Sequence, residues 1–214
     1  MPLPRILFIL SLLWGLAAFV ATVGIRAPIQ PTAGAYAPAV RGLLALLATG
    51  LVVLWPLSRL LLATGRWDAR RAALDALVLV VLLQGAFWPL HLVTAWPLAR
   101  SAAIDALLSG WAAAAGAAIA LGLGGPHPLR WAYGCLALAA AGPLLDALAF
   151  PAPVAELAGP FAALARMASP DAGGGLDSDW ALAAWPWIPA AGGWFLAVRQ
   201  QPADGCRAVA DPLP

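Results

Sequence analysis

Long apolar runs with few charges dominate this sequence and leave few folds open to it. Six windows approach the length of about 20 residues that an α-helix needs to cross a hydrocarbon core of about 30 Å. They are Ile6–Ile25, Gly42–Ala63, Ala72–Trp96, Ala102–Gly124, Trp131–Phe150 and Trp180–Val198. The sequence therefore predicts an all-α fold, a polytopic transmembrane helical bundle of about six spans.

The composition agrees with a lipid-facing chain. Of the 214 residues, 63% are hydrophobic and 10% are charged, whereas soluble domains contain about 25% charged residues. The net charge of +2 is small and scattered, and nucleic-acid binding requires a clustered basic face. We therefore expect the lipid bilayer and other membrane subunits as partners, and no nucleic acid.

The chain divides into one membrane domain and a tail. Residues 1–199 hold the six runs, residues 151–179 form an outer loop, and residues 200–214 form a short cytoplasmic tail. The first run is too long for the hydrophobic part of a signal peptide, so we interpret it as a retained span. Within the outer loop, apolar residues from Val154 to Leu164 recur at helical spacing and predict a short surface helix bent at Pro160.

Arginine placement predicts the orientation, because cytoplasmic loops carry an excess of basic residues. With a cytoplasmic N-terminus, eight arginines lie inside: Arg5, Arg59, Arg66, Arg70, Arg71, Arg130, Arg199 and Arg207. Four lie outside: Arg26, Arg41, Arg100 and Arg166. This difference predicts that both termini are cytoplasmic and that the chain resides in a bacterial-type inner membrane.

Polar residues inside the apolar runs are the candidate site residues, since ionisable groups at membrane depth are costly and often functional. Five of them fall in the predicted outer leaflet: Gln84, His91, Arg100, Asp105 and Asp146. Asp146 lies near the end of its span, where the helix dipole disfavours an anion, so it needs Arg100, His91 or a proton as partner. These residues form either an outward-opening polar pocket or ordinary contacts between helices.

Two further patterns bear on packing. Small and polar residues from Ser101 to Gly116 share one face of the fourth span, which lets another helix approach closely. Asp75 lies one turn inside the third span, with Arg70 or Arg71 one turn away as its expected partner.

Counting excludes most catalytic and metal chemistry. The two cysteines, Cys135 and Cys206, and the two histidines, His91 and His127, give no multi-ligand metal centre. No Gly-rich phosphate loop, CxxC or HExxH motif occurs. We therefore expect no enzymatic activity, no catalytic residues, no metal and no cofactor.

One segment is similar in outline to a known family. The stretch from Arg41 to Trp96, with Trp55-Pro56-Leu57-Ser58-Arg59, Arg70-Arg71 and His91, resembles the haem-binding membrane subunit of periplasmic methionine sulfoxide reductase. The likeness covers about a quarter of the chain. That family carries further histidines in later helices, which this chain lacks. We therefore do not assign the chain to it and keep a haem-b electron-transfer subunit as a second alternative.

Two other functions remain open. The favoured hypothesis is a non-catalytic auxiliary or scaffold subunit of a larger membrane complex, because the chain has little mass outside the predicted membrane. The first alternative is a small-solute or ion-coupled transporter that uses Asp146, Asp105 and His91. The sequence names neither the substrate nor the partner.

Overall fold

The computed structural model describes residues 3–24, 33–62, 69–94, 96–169 and 176–200. These residues are almost entirely helical and contain no strand, so the all-α prediction is confirmed for them. The helices are α1 (Leu3–Thr22), α2 (Ala33–Thr49), α3 (Trp55–Leu62), α4 (Ala69–Thr94), α5 (Leu98–Gly124), α6 (Pro128–Ala147), α7 (Ala152–Ala158), α8 (Pro160–Met167), α9 (Leu176–Ala184) and α10 (Trp187–Arg199). The predicted tail and Arg26, Arg66 and Arg207 lie outside the described residues, apart from Gln200.

A π-helical segment, Gly50–Leu54, joins α2 to α3 without a break. The backbone N–H of Trp55 donates to the carbonyl oxygen of Gly50, five residues back, which is the π pattern. One turn earlier, the indole N–H of Trp14 on α1 donates to the carbonyl oxygen of Leu46 at 3.0 Å. A side chain at Gly50 would lie 2.7 Å from the Trp14 indole nitrogen, so the glycine admits that ring.

Contacts between helices fix their relative directions. The end of α1 meets the early part of α2 at Thr22 and Gly42, and its middle meets the π segment through Trp14, so these helices are antiparallel. The start of α1 shares a small pocket with Val78 of α4. Residues further along α1 face residues further along α4, so α1 and α4 run parallel.

Helix α5 is the centre of the bundle, since 14 of its 27 residues are buried, whereas Leu7 and Ala18 are the buried residues among the described side chains of α1. Two indoles of α10 donate to carbonyl oxygens of α5: Trp187 to Ala106 at 3.1 Å and Trp194 to Ala113 at 3.0 Å. The two donors are seven residues apart on α10, and the two acceptors are seven residues apart on α5. The later donor bonds to the later acceptor. Helices α5 and α10 therefore run parallel.

Gly116 confirms that α5 allows close approach. A side chain there would lie 3.0 Å from Trp194, 3.3 Å from Ala76 and 3.4 Å from Trp55. Three neighbouring helices therefore converge on α5 at this glycine.

Glycine contacts also define the two ends of the bundle. At one end, Gly122 near the end of α5 packs against Leu60 of α3 and Trp131 of α6. At the other end, Gly142 of α6 packs against α7 and α8, and Gly159 approaches the carbonyl oxygen of Leu138. Helix α6 therefore runs from the first end to the second.

Five stretches of the described residues are long and apolar enough to cross a membrane: Arg5–Thr22, Pro38–Leu62, Ala69–Trp88, Leu98–Gly124 and Asp179–Arg199. Each overlaps one of the predicted windows. The window Trp131–Phe150 forms α6 but is not among the five, and its helix includes Arg130, Tyr133, Pro143 and Asp146, which lower the mean hydropathy.

The remaining differences from the predictions arise at helix breakers. The sixth window divides between α9 and α10 at Trp185 and Pro186, because proline lacks an amide donor and clashes with the preceding turn. The outer loop forms two short helices, α7 and α8, separated at Gly159. Leu164 is buried, whereas Val154 and Leu157 are exposed. These apolar residues therefore do not form the single continuous helix face that the spacing predicted.

Candidate functional site

Gln84 and Asp105 meet between α4 and α5. The side-chain amide of Gln84 donates to the carboxylate oxygen Oδ1 of Asp105 at 2.7 Å. One turn further along α4, the indole N–H of Trp88 donates to Oε1 of Gln84. The three side chains form a short chain of hydrogen bonds, in which Asp105 accepts from a neutral amide.

A second polar cluster joins the starts of α5 and α9 to α7 and α8. Asp179 is fully buried. Its two carboxylate oxygens lie 3.8 Å from Nε of Arg100 and 3.6 Å from a guanidinium nitrogen of Arg166. Arg166 also forms an ion pair with Glu156. We call Arg100, Glu156, Arg166 and Asp179 the outer charge cluster.

Arg41 brings α2 to the same end of the bundle. Its Nε donates to the carbonyl oxygen of Ala168 at 3.1 Å, and its guanidinium contacts the hydroxyl oxygen of Ser169 at 3.5 Å. These bonds join α2 to the segment that follows α8. The three described arginines assigned to the outer side, Arg41, Arg100 and Arg166, therefore all bond to acceptors at that end.

The third cluster lies at the opposite end, between α3 and α4. Arg59 and Asp75 form an ion pair at 2.8 Å, and both side chains are largely buried. The observed partner of Asp75 is Arg59 and not the expected Arg70 or Arg71, because the Arg59 side chain reaches from α3 to α4.

The structure brings together some of the five predicted site residues. Gln84 and Asp105 are bonded, as described. Arg100 pairs with Asp179 and not with Asp146, whose side chain is exposed in the last turn of α6. His91 belongs to α4, but its side chain lies outside the described residues. The described members of the five predicted site residues therefore belong to different contacts between helices and do not form one site.

Sequence reasoning missed Asp179, Glu156 and Arg166 as cluster members. They lie in or beside the connection before the last span, where exposed charges are the ordinary expectation. A usable signal was present: two acids and two arginines were all assigned to the outer side, where opposite charges can pair. Pairing of Arg100 with a residue 79 positions later requires the parallel packing of α5 and α10, which periodicity does not reveal.

The clusters are suited to joining helices. Within the described part of the chain, no group of three or more His, Cys, Asp or Glu side chains could hold a metal ion. Comparison with protein-family models, with curated proteins and with solved structures finds no match.

Proposed function

We propose that this chain is a multi-pass inner-membrane protein that acts as a non-catalytic auxiliary or scaffold subunit of a larger membrane complex. The proposal rests on the ion pairs that the buried carboxylates form with arginines of other helices. Asp75 pairs with Arg59, and Asp179 pairs with Arg100 and Arg166, each across different helices. A buried charge that is already paired stabilises one arrangement of helices.

The same geometry supports six spans. Helices α5 and α10 run parallel, so a chain that crosses the membrane in both must return between them. Helix α6 has 20 residues, which corresponds to about 30 Å at a rise of about 1.5 Å per residue. It runs between the two ends of the bundle and exposes Tyr133, Leu144 and other apolar residues on its surface. We therefore assign α6 as the fifth span.

The arginine pattern supports cytoplasmic termini. Of the described arginines, six lie at the end of the bundle that holds Arg5 and three at the other end, which are Arg41, Arg100 and Arg166. Arg5 and Arg70 at the opposite end are exposed. This contrast favours the cytoplasm on the side of Arg5.

The test is purification of the tagged chain from its own membranes in mild detergent. We expect a partner chain in fixed stoichiometry, and no Soret absorbance from bound haem. Replacing Tyr133 on the exposed face of α6 with alanine should weaken the association if that face binds the partner. A single chain or a homodimer in this preparation would contradict the scaffold proposal.

The second candidate is a carrier, and the bond between Asp105 and Gln84 favours it. A carboxyl group that bonds to a neutral amide can gain or lose a proton without breaking an ion pair, as ion-coupled carriers require. Asp105→Asn keeps an acceptor for Gln84, so the amount of folded protein should stay unchanged. A carrier would lose transport in this variant, whereas a scaffold would still bind its partner.

A further inference from the structure

An apolar groove of about 710 Å³ lies between α1, the π segment and α4. Its walls are mainly leucine side chains, with Trp14 and Trp55 and the hydroxyl groups of Ser11 and Ser58. The volume lies within the range of about 300–1,000 Å³ that is typical of ligand pockets. The charged residues of the three polar clusters do not line the groove.

Two glycines widen the groove from opposite walls. Gly15 of α1 and Gly85 of α4 both line it, and a side chain added at either position would meet no atom within 4 Å. Larger residues at these positions would therefore enter the groove without pushing the helices apart.

Positive charge lies beside one end of the groove. Arg5 shares a smaller adjoining pocket of about 360 Å³ with Phe8, Ile9 and Val78. Arg71, Val78 and Gly85 follow each other at seven-residue spacing, so they lie on one stripe of α4. Arg5 and Arg71 are both exposed. An apolar groove with exposed arginines beside one end is complementary to an amphipathic anion.

We propose that this groove binds one anionic phospholipid, with an acyl chain against Gly15 and Gly85 and the phosphate near Arg5 and Arg71. The proposal rests on the chain spanning a membrane, as proposed above, but not on its having a partner. Long arginine side chains reach the headgroup level while their stems cover apolar surface. Anionic lipids of the cytoplasmic leaflet attract basic residues in this position.

The charge beside the groove favours a lipid over a second helix, because an apolar span carries no phosphate to pair with Arg5. A flexible acyl chain can enter a trough of this size and leave its headgroup at the surface. The occupant is therefore a lipid and not a second protein chain.

The experiment uses the full chain, reconstituted in vesicles of equal parts phosphatidylglycerol and phosphatidylcholine and then extracted in mild detergent. Native mass spectrometry counts the lipids that stay bound. We expect one phosphatidylglycerol in preference to phosphatidylcholine. Gly85→Leu and Gly15→Leu should each reduce its retention by about tenfold or more. Arg5→Gln should remove the preference between the two lipids.

Gly134→Leu is the matched control, because Gly134 of α6 also has open space around it but lies off the groove. It should leave lipid retention unchanged. Equal loss in the control, full retention in both groove variants, or no preference in the parent chain would overturn the proposal. So would groove variants that turn a dimer into a monomer without changing bound lipid, because the groove would then hold a second copy. A missing partner chain would overturn the scaffold proposal and leave this result intact.

Discussion

At the scale of single residues, the main feature is the pairing of charges across helices. A buried carboxylate without a partner costs several kcal/mol, and removing one member of a buried ion pair leaves the other uncompensated. Asp179 is the clearest case, since its side chain is fully buried between Arg100 and Arg166. The chain therefore depends on this carboxylate more than on any exposed acid.

We predict that Asp179→Asn lowers the free energy of unfolding by about 3 kcal/mol, because Arg100 loses this buried carboxylate while Arg166 keeps Glu156. Unfolding of the purified chain in detergent, followed by circular dichroism, measures the change. Asp146→Asn is the control. Its side chain is exposed at the end of α6, so it should shift stability by no more than about 0.5 kcal/mol. Equal effects of the two substitutions would contradict the role of Asp179.

The sequence allowed part of this residue-level account. Gln84 and Trp88 are four residues apart, a spacing that places two side chains on the same face of a helix, and the two are bonded. The sequence predicted Arg70 or Arg71, on the same helix, as the partner of Asp75. Residue spacing predicts which side chains are neighbours within one helix, but it does not predict contacts between two helices. The partner that the structure shows, Arg59, lies on α3.

At the scale of helices, indole donors tie neighbouring elements together. Trp194 donates from α10 to Ala113 of α5, whereas the buried indole nitrogen of Trp111 has no hydrogen-bond partner among the described residues. An interhelical hydrogen bond in a membrane protein contributes about 1 kcal/mol, whereas an unpaired buried donor is destabilising, so its removal costs no hydrogen bond.

We therefore predict that Trp194→Phe lowers the free energy of unfolding by about 1 kcal/mol more than Trp111→Phe does. Both substitutions remove the same atoms, and Trp111 is the more deeply buried ring, so a larger loss of stability at Trp194 is assigned to its hydrogen bond. Parallel unfolding curves in one detergent measure it. A larger loss from Trp111→Phe would show that the bond to Ala113 contributes little.

The apolar runs predicted the long helices, because a long apolar run without charges can satisfy its backbone hydrogen bonds in a membrane by forming a helix. Their ends did not follow as closely. Helix α5 begins at Leu98, four residues before the predicted window, since its first turn includes Arg100 and Ser101, which hydropathy excludes. The last apolar run divides at Pro186 because a separate helix, α9, begins at Leu176 and ends before this proline. Hydropathy did not predict the start of α9.

At the scale of the whole molecule, the directions of the helices constrain the number of crossings more strongly than hydropathy does. Hydropathy counts five candidate spans among the described residues and leaves out α6. Helices α1 and α4 are parallel, and so are α5 and α10. In each pair, the chain must therefore run back in the opposite direction between the first helix and the second. Helices α2 and α3 run back between the first pair, and α6 runs back between the second, which is the basis of the six-span proposal.

The last prediction tests this return directly. His127 lies in the turn before α6, and Ala152 lies at the start of α7 after it; both are exposed. If α6 crosses the membrane, cysteines at these two positions lie on opposite sides. With Cys135 and Cys206 replaced by serine, we expect a membrane-impermeant thiol reagent to label Ala152→Cys in intact cells. It should label His127→Cys only after permeabilisation. Labelling of both from one side would remove α6 from the membrane, and exchanged sides would invert the bundle and place the outer charge cluster in the cytoplasm.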